Sequence, residues 1–146
     1  MEITPSGSNF VTFRQGWHSD LEGDPISPHR WSVGLDATIQ IPKLSSSPIQ
    51  QGLFTIELDA IPYLPKTVTA YQDVIIFLDG SLISCIRLYD ADVKKVTGQF
   101  ANPVNHNSFS LLKFYFPQSN KPSLCGDGND ERQLGIGLKS MKIELF

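Results

Sequence analysis

The sequence predicts an all-β fold, a single antiparallel β-sandwich of jelly-roll type, on three observations. Apolar residues recur with period two along most of the chain. Turn signals separate these runs at the spacing of about eight to twelve residues that sandwich folds show. No window offers successive helical turns of i, i+3, i+4 apolar spacing with caps.

The elements follow in order. Phe10 to Arg14 is a short first strand. From Trp31 to Ile41 the residues Trp31, Val33, Leu35, Ala37, Ile39 and Ile41 are in phase, which reads as one strand ended by Pro42 and the stretch SSSPIQQG. Leu53 to Ile61 places Phe54, Ile56, Leu58 and Ala60 on one face and Thr55, Glu57 and Asp59 on the other, the pattern of a half-solvated antiparallel strand. Gln72 to Leu78 contains VIIFL, apolar on both faces, as expected inside a sheet. Asp79-Gly80 then supplies the two residues that tolerate positive φ in a type I′ hairpin, and Ser81 to Leu88 runs back. Asp90 to Lys95 has room for one helical turn at most. Val96 to Phe100 and Ser108 to Phe116 are further strands, the latter ended by Pro117. In the last strand, Gln133 to Leu145, the phase set by Leu134, Ile136 and Leu138 slips by one for Met141, Ile143 and Leu145. That slip predicts a β-bulge near Lys139-Ser140. The reading is one domain, residues 1–146, with its core within roughly residues 10–145.

Composition narrows the function. The chain has 146 residues, 40% hydrophobic and 18% charged, and a formal net charge of -3. It can bury a full core without metals or disulfides. It has no Lys/Arg-rich block, so nucleic acid is not an expected partner. The N-terminus MEITPSGSNFVTF lacks the basic and apolar regions of a signal peptide, and no apolar run has the length of a membrane span. A cytoplasmic chain is expected. Cys85 and Cys125 fit no zinc or CxxC spacing and read as two buried thiols, although a disulfide stays open.

The stretch GWHSDLEGDPISPHRWS, residues 16–32, holds both tryptophans and two of the three histidines. An exposed indole stacks on the apolar face of a sugar ring, and carboxylate and imidazole groups bond its hydroxyls. The candidate ligand-binding set is Trp17 as platform with His18, Asp20, Glu22 and Arg30 as polar partners. The alternative is that Trp17 and Trp31 plug the end of the sandwich and the polar groups serve turns. Near the C-terminus, Asp127, Asn129, Asp130 and Glu131 lie among Gly126 and Gly128. Such oxygens resemble a calcium loop, but the DxDxDG order is missing, so the stretch reads as a glycine-shaped connection with Asp130 and Arg132 paired. No cofactor is expected, with calcium as the alternative. His18, His29 and His106 are too scattered for a metal triad. No GxSxG, HExxH, Cys/His or phosphate-loop signature is present, so catalysis is not expected.

Three stretches in order carry a family resemblance: Gly16-Trp17, Glu22 and Arg30-Trp31-Ser32; the hairpin VIIFLDG at 74–80; and Pro122, Gly126, Asp130, Arg132, Leu134-Gly135-Ile136, Leu138, Ser140 and Ile143. Together they resemble a β-sandwich accessory domain of bacterial glycosyltransferases and surface-polysaccharide proteins, a jelly roll of galactose-binding or carbohydrate-binding-module type. The resemblance implies a non-catalytic glycan-recognition module in a bacterial polysaccharide setting. It also implies that Trp31, Asp130 and Arg132 are structural, with Glu22–Arg132 or Arg30–Asp130 as the pairs to look for. The alternatives are an assembly module that docks on a glycosyltransferase or self-associates, with Tyr63, Leu64, Tyr71 and Tyr89 as contact residues, and a small glycan hydrolase or lyase.

Overall fold

The structure is a computed structural model that describes residues 1–43, 51–65, 70–101 and 108–145. His106 and residues 45–50 of the SSSPIQQG stretch lie outside the described residues. The strands are β1 (Glu2–Ile3), β2 (Thr12–Phe13), β3 (Glu22–Asp24), β4 (Ser27–Val33), β5 (Asp36–Pro42), β6 (Gln51–Pro62), β7 (Gln72–Leu78), β8 (Ser81–Leu88), β9 (Asp92–Ala101), β10 (Phe109–Tyr115) and β11 (Leu134–Leu145). A short 3-10 turn occupies Pro122–Leu124. No helix among the described residues is long and apolar enough to cross a membrane.

Two antiparallel sheets form. The first runs β3-β4-β11-β6-β9, with β1 added against β11; the second runs β2-β5-β10-β7-β8. Between them lies one cluster to which both sheets contribute: Ile3, Ile56, Leu58, Ile136, Leu138 and Met141 from the first, Ile39, Ile41, Val74, Ile76, Leu112 and Phe114 from the second. This is the sandwich that period-two patterning demands, since each strand offers one apolar face and each face needs a partner. The fold begins earlier than residue 10: Ile3, fully buried, pairs with Met141.

Local predictions hold in detail at two places. Asp79 (φ +48°) and Gly80 (φ +86°) form the β7–β8 turn. In β11 the register with β6 jumps between Leu138 and Ser140, so the phase slip in the sequence is a bulge at Lys139.

Three readings are corrected. The alternation from Trp31 to Ile41 is two strands. Gly34 at φ +108° breaks the extended chain and passes it from the first sheet to the second, leaving Leu35 49% exposed. The inward residue of β4 is Ser32, whose Oγ accepts a hydrogen bond from the buried Ile136 N–H at 2.9 Å, and not Trp31. Asp92–Lys95 is strand, because pairing along β6 supplies ladder bonds that a single helical turn could not match. Of the two thiols, Cys125 is buried but Cys85 is exposed, and they are not bonded.

Candidate functional site

The tryptophan stretch folds as a hairpin tied into the sandwich. Gly16 (φ +84°) lies so close to Asp36 and Ala37 that a Cβ would fall 2.1 Å from the Asp36 carbonyl oxygen, which explains the Gly-Trp pair. That approach sends Trp17 against the core. Its ring meets Phe13 at 5.1 Å, Phe114 at 5.8 Å and Phe116 at 6.4 Å, all edge to face, and its indole N–H donates to the Thr38 carbonyl at 3.1 Å. Trp17 is thus partly buried and packed against the core cluster at this end of the sandwich. Trp31 stands half-buried, edge-on to His29 at 5.2 Å.

Arg30 and Glu22 are also engaged. Arg30 donates to the carbonyls of Pro5, His18 and Ser19 at 2.7, 2.6 and 3.0 Å and covers the Phe13 ring, so the Arg30–Asp130 pair does not form. Glu22 accepts from Arg132 at 2.7 and 3.2 Å, and Asp130 holds the same guanidinium at 2.8 Å. The Arg132 hydrogen bonds lower the pKa of both carboxylates, outweighing the upward push of burial. His18 Nδ1 accepts from the Asp20 N–H at 3.2 Å, and Asp20 is exposed. In the glycine loop, Asp127 accepts from the Tyr63 hydroxyl at 2.7 Å, and burial, helped by this bond, pushes the phenol pKa up. Among the described residues no cluster of three His, Cys, Asp or Glu could hold a metal ion.

The open surface lies on the outer face of the second sheet. In β10, Ser110, Leu112 and Phe114 point inward, so Phe109, Leu111, Lys113 and Tyr115 point out. Register sets Tyr115 beside Asp36, Lys113 between Thr38 and Phe77, and Leu111 beside Gln40. These side chains line a depression of about 600 Å³ bounded by Asp36, Phe77, Asp79 and Tyr115. It meets a second of about 560 Å³ bounded by Arg14, Gln40 and Phe109, and the two share Thr38 and Leu111. Both volumes are of ligand-site size. Tyr115 is 38% and Leu111 39% exposed. Around them stand carboxylate, hydroxyl, amide, ammonium and guanidinium groups: Asp36, with Lys113 3.6 Å away, and Thr38, Gln40 and Arg14, which bonds the Gln40 amide oxygen. Apolar faces flanked by mixed donors and acceptors suit a polyhydroxylated ring. The sequence carried half of this signal, an apolar and aromatic row at odd positions 109, 111 and 115. The neighbours on β5 and β7 come only from register.

The whole architecture is similar to that of solved structures. The xylan-binding CBM22-1 domain of Paenibacillus barcinonensis Xyn10C superposes with a TM-score of 0.56 at 13% identity, covering 99% of this chain and 92% of that one. The fold is that of carbohydrate-binding modules. The CBM36-1 domain of a multidomain xylanase from the Trinervitermes trinervoides hindgut metagenome (TM-score 0.52, 9% identity, 99% and 95% covered) shares it. So does the C-terminal CBM6 of the Zobellia galactanivorans enzyme LamC (0.52, 9%, 98% and 97%). No family model and no curated protein matches the sequence. At these identities the likeness is one of fold.

Proposed function

We propose that this chain is a non-catalytic glycan-recognition module whose ligand, a bacterial polysaccharide, lies in the groove over β5, β10 and β7. The observation that carries the reading is Tyr115: an exposed aromatic ring on the sheet face, beside Asp36 and Lys113 and open to a groove of ligand size. Trp17 and the residues near it hold the hairpin and are left out of the site.

Calorimetric titration with soluble xylan, laminarin and bacterial exopolysaccharides tests the reading. Binding in the micromolar to millimolar range is expected, as for shallow polar sites. Tyr115→Ala should lose about tenfold or more while staying folded. Trp17→Ala should fail mainly in stability. No heat with any glycan, or full affinity in Tyr115→Ala, overturns the proposal.

One feature favours a second reading, docking on a glycosyltransferase or self-association: Leu82, 62% exposed, lies on the edge strand β8. Sedimentation that shows a dimer which Leu82→Lys dissolves would support it.

A further inference from the structure

The outer face of the second sheet continues past the groove. On β7 and β8 the outward pairs are Phe77 with Leu82, Ile75 with Cys85, and Asp73 with Arg87. One step beyond, in the same phase, Tyr71 and Tyr89 meet edge to face at 6.2 Å. Arg87 lies over Tyr71, with its guanidinium carbon 3.8 Å from the ring centre. Its position is fixed from the other side by Asp73, which accepts from Nε at 2.8 Å and from Nη2 at 3.0 Å. Gln118 braces this corner by donating to Asp73 at 3.5 Å and accepting from the Asp73 N–H at 2.7 Å.

A chain of supports therefore runs from Gln118 through Asp73 and Arg87 to Tyr71, and ends on Tyr89, whose ring is 58% exposed. Tyrosine presents a large amphipathic face at small conformational-entropy cost. One fixed in place by an ordered partner is better prepared to bind than a free surface ring. Tyr115 lies opposite Ile75 in the β10–β7 register, so groove and tyrosine pair are joined by Ile75 without a ridge of charge except the neutralised Asp73–Arg87 pair. From Phe77 to Tyr71 the strand covers about 20 Å.

We infer that Tyr89, backed by Tyr71, is a second stacking platform, and that the face binds an extended oligosaccharide chain in preference to a short one. The inference rests on the proposed glycan reading. It assigns the residue types best suited to a sugar ring at the far end of the face, where the groove alone would not reach.

Isothermal titration with the trisaccharide and the hexasaccharide of xylan and of β-1,3-galactan tests it, on wild type, Tyr115→Ala, Tyr89→Ala and Tyr89→Phe. Wild type should bind the hexasaccharide more tightly than the trisaccharide. Tyr89→Ala should lose about tenfold on the hexasaccharide and nothing on the trisaccharide, and Tyr89→Phe should keep wild-type affinity for both. Tyr115→Ala should lose affinity for both lengths. If Tyr115→Ala weakens binding but Tyr89→Ala binds the hexasaccharide like wild type, the platform is refuted and the groove reading stands. If wild type binds none of these sugars at either length, the platform and its chain-length preference are refuted for them. Failure of the long polysaccharides as well refutes the groove reading too.

Discussion

Arg132 and Glu22, 110 positions apart in the chain, meet through two hydrogen bonds of 2.7 and 3.2 Å, and the same guanidinium forks onto Asp130. One cation thereby fastens the β3–β4 hairpin to the loop that leads into β11. Each carboxylate oxygen pair matches the planar fork, a geometry that a lysine ammonium cannot reproduce. Arg132→Ala should cost about 1–3 kcal/mol in urea unfolding, and Arg132→Lys should recover only a small part. Glu22 and Asp130 have lowered pKa values in the fold, so their stabilisation is complete above the ordinary carboxylate values of 4.5 and 3.8 and is lost as pH falls through the folded values. Arg132→Ala should flatten that acid limb. An unchanged acid limb would show that the fork carries none of it.

His29 should impose a second pH dependence at higher pH. Its ring is wedged between two glycines: a Cβ on Gly23 would lie 2.7 Å from it and one on Gly137 2.8 Å. Burial, the first cause, lowers its pKa, and Lys139 and Arg132 act in the same direction against the pull of Glu22. The fold thus prefers the neutral ring. Its contribution is complete above 6.5 and declines as pH falls below that value. His29→Phe, neutral at every pH, should remove the fall in the unfolding midpoint between about pH 7 and pH 5 while leaving the carboxylate limb in place. An identical slope in the variant would assign the fall to other groups.

These two contacts mark what a sequence can and cannot show. Strand existence and phase were legible where one face is buried and the other wet, as in β6, and even the bulge at Lys139 was written in the phase slip of Leu138 against Met141. Legibility failed where alternation outlived the strand. Trp31 and Ile39 share a parity, yet Gly34 turns the chain between sheets, and the true inward residue is a serine. The surroundings of the 16–32 stretch were less legible: Thr38 and Phe114 hold Trp17, Arg132 holds Glu22 and the Pro5 carbonyl holds Arg30, all remote in sequence, whereas the His18 ring bonds locally to Asp20. The groove residues Asp36, Phe77 and Tyr115 come from three strands and become neighbours only through register.

Gly135 in β11 tests how tightly the core is closed beneath the hairpin. A Cβ there would lie 2.8 Å from both Phe116 Cγ and Ser32 Oγ, and both of those residues are fully buried. Neither neighbour is the free end of a flexible chain. Gly135→Ala should therefore destabilise by about 1–3 kcal/mol through overpacking, a loss read from the denaturant midpoint. It would also press on the Ser32 Oγ that satisfies the Ile136 N–H. A neutral variant would mean that β4 can shift away from β11.

Cys85 offers a probe of the whole binding face. It is exposed on β8 opposite Ile75, and Ile75 stands opposite Tyr115, so the thiol lies between the groove and the Tyr71–Tyr89 pair. Partial burial raises the thiol pKa, so labelling by an aromatic disulfide reagent should be slow near neutrality and accelerate at higher pH. In the native protein one thiol should react, because Cys125 is 8% exposed, and both should react after unfolding. Two fast thiols in the native state would contradict the burial of Cys125. With a saturating long glycan, labelling of Cys85 should slow, since a chain that reaches from Tyr115 to Tyr89 crosses onto β8 beside it. An unchanged rate with ligand bound would confine the glycan to the side of the face away from β8.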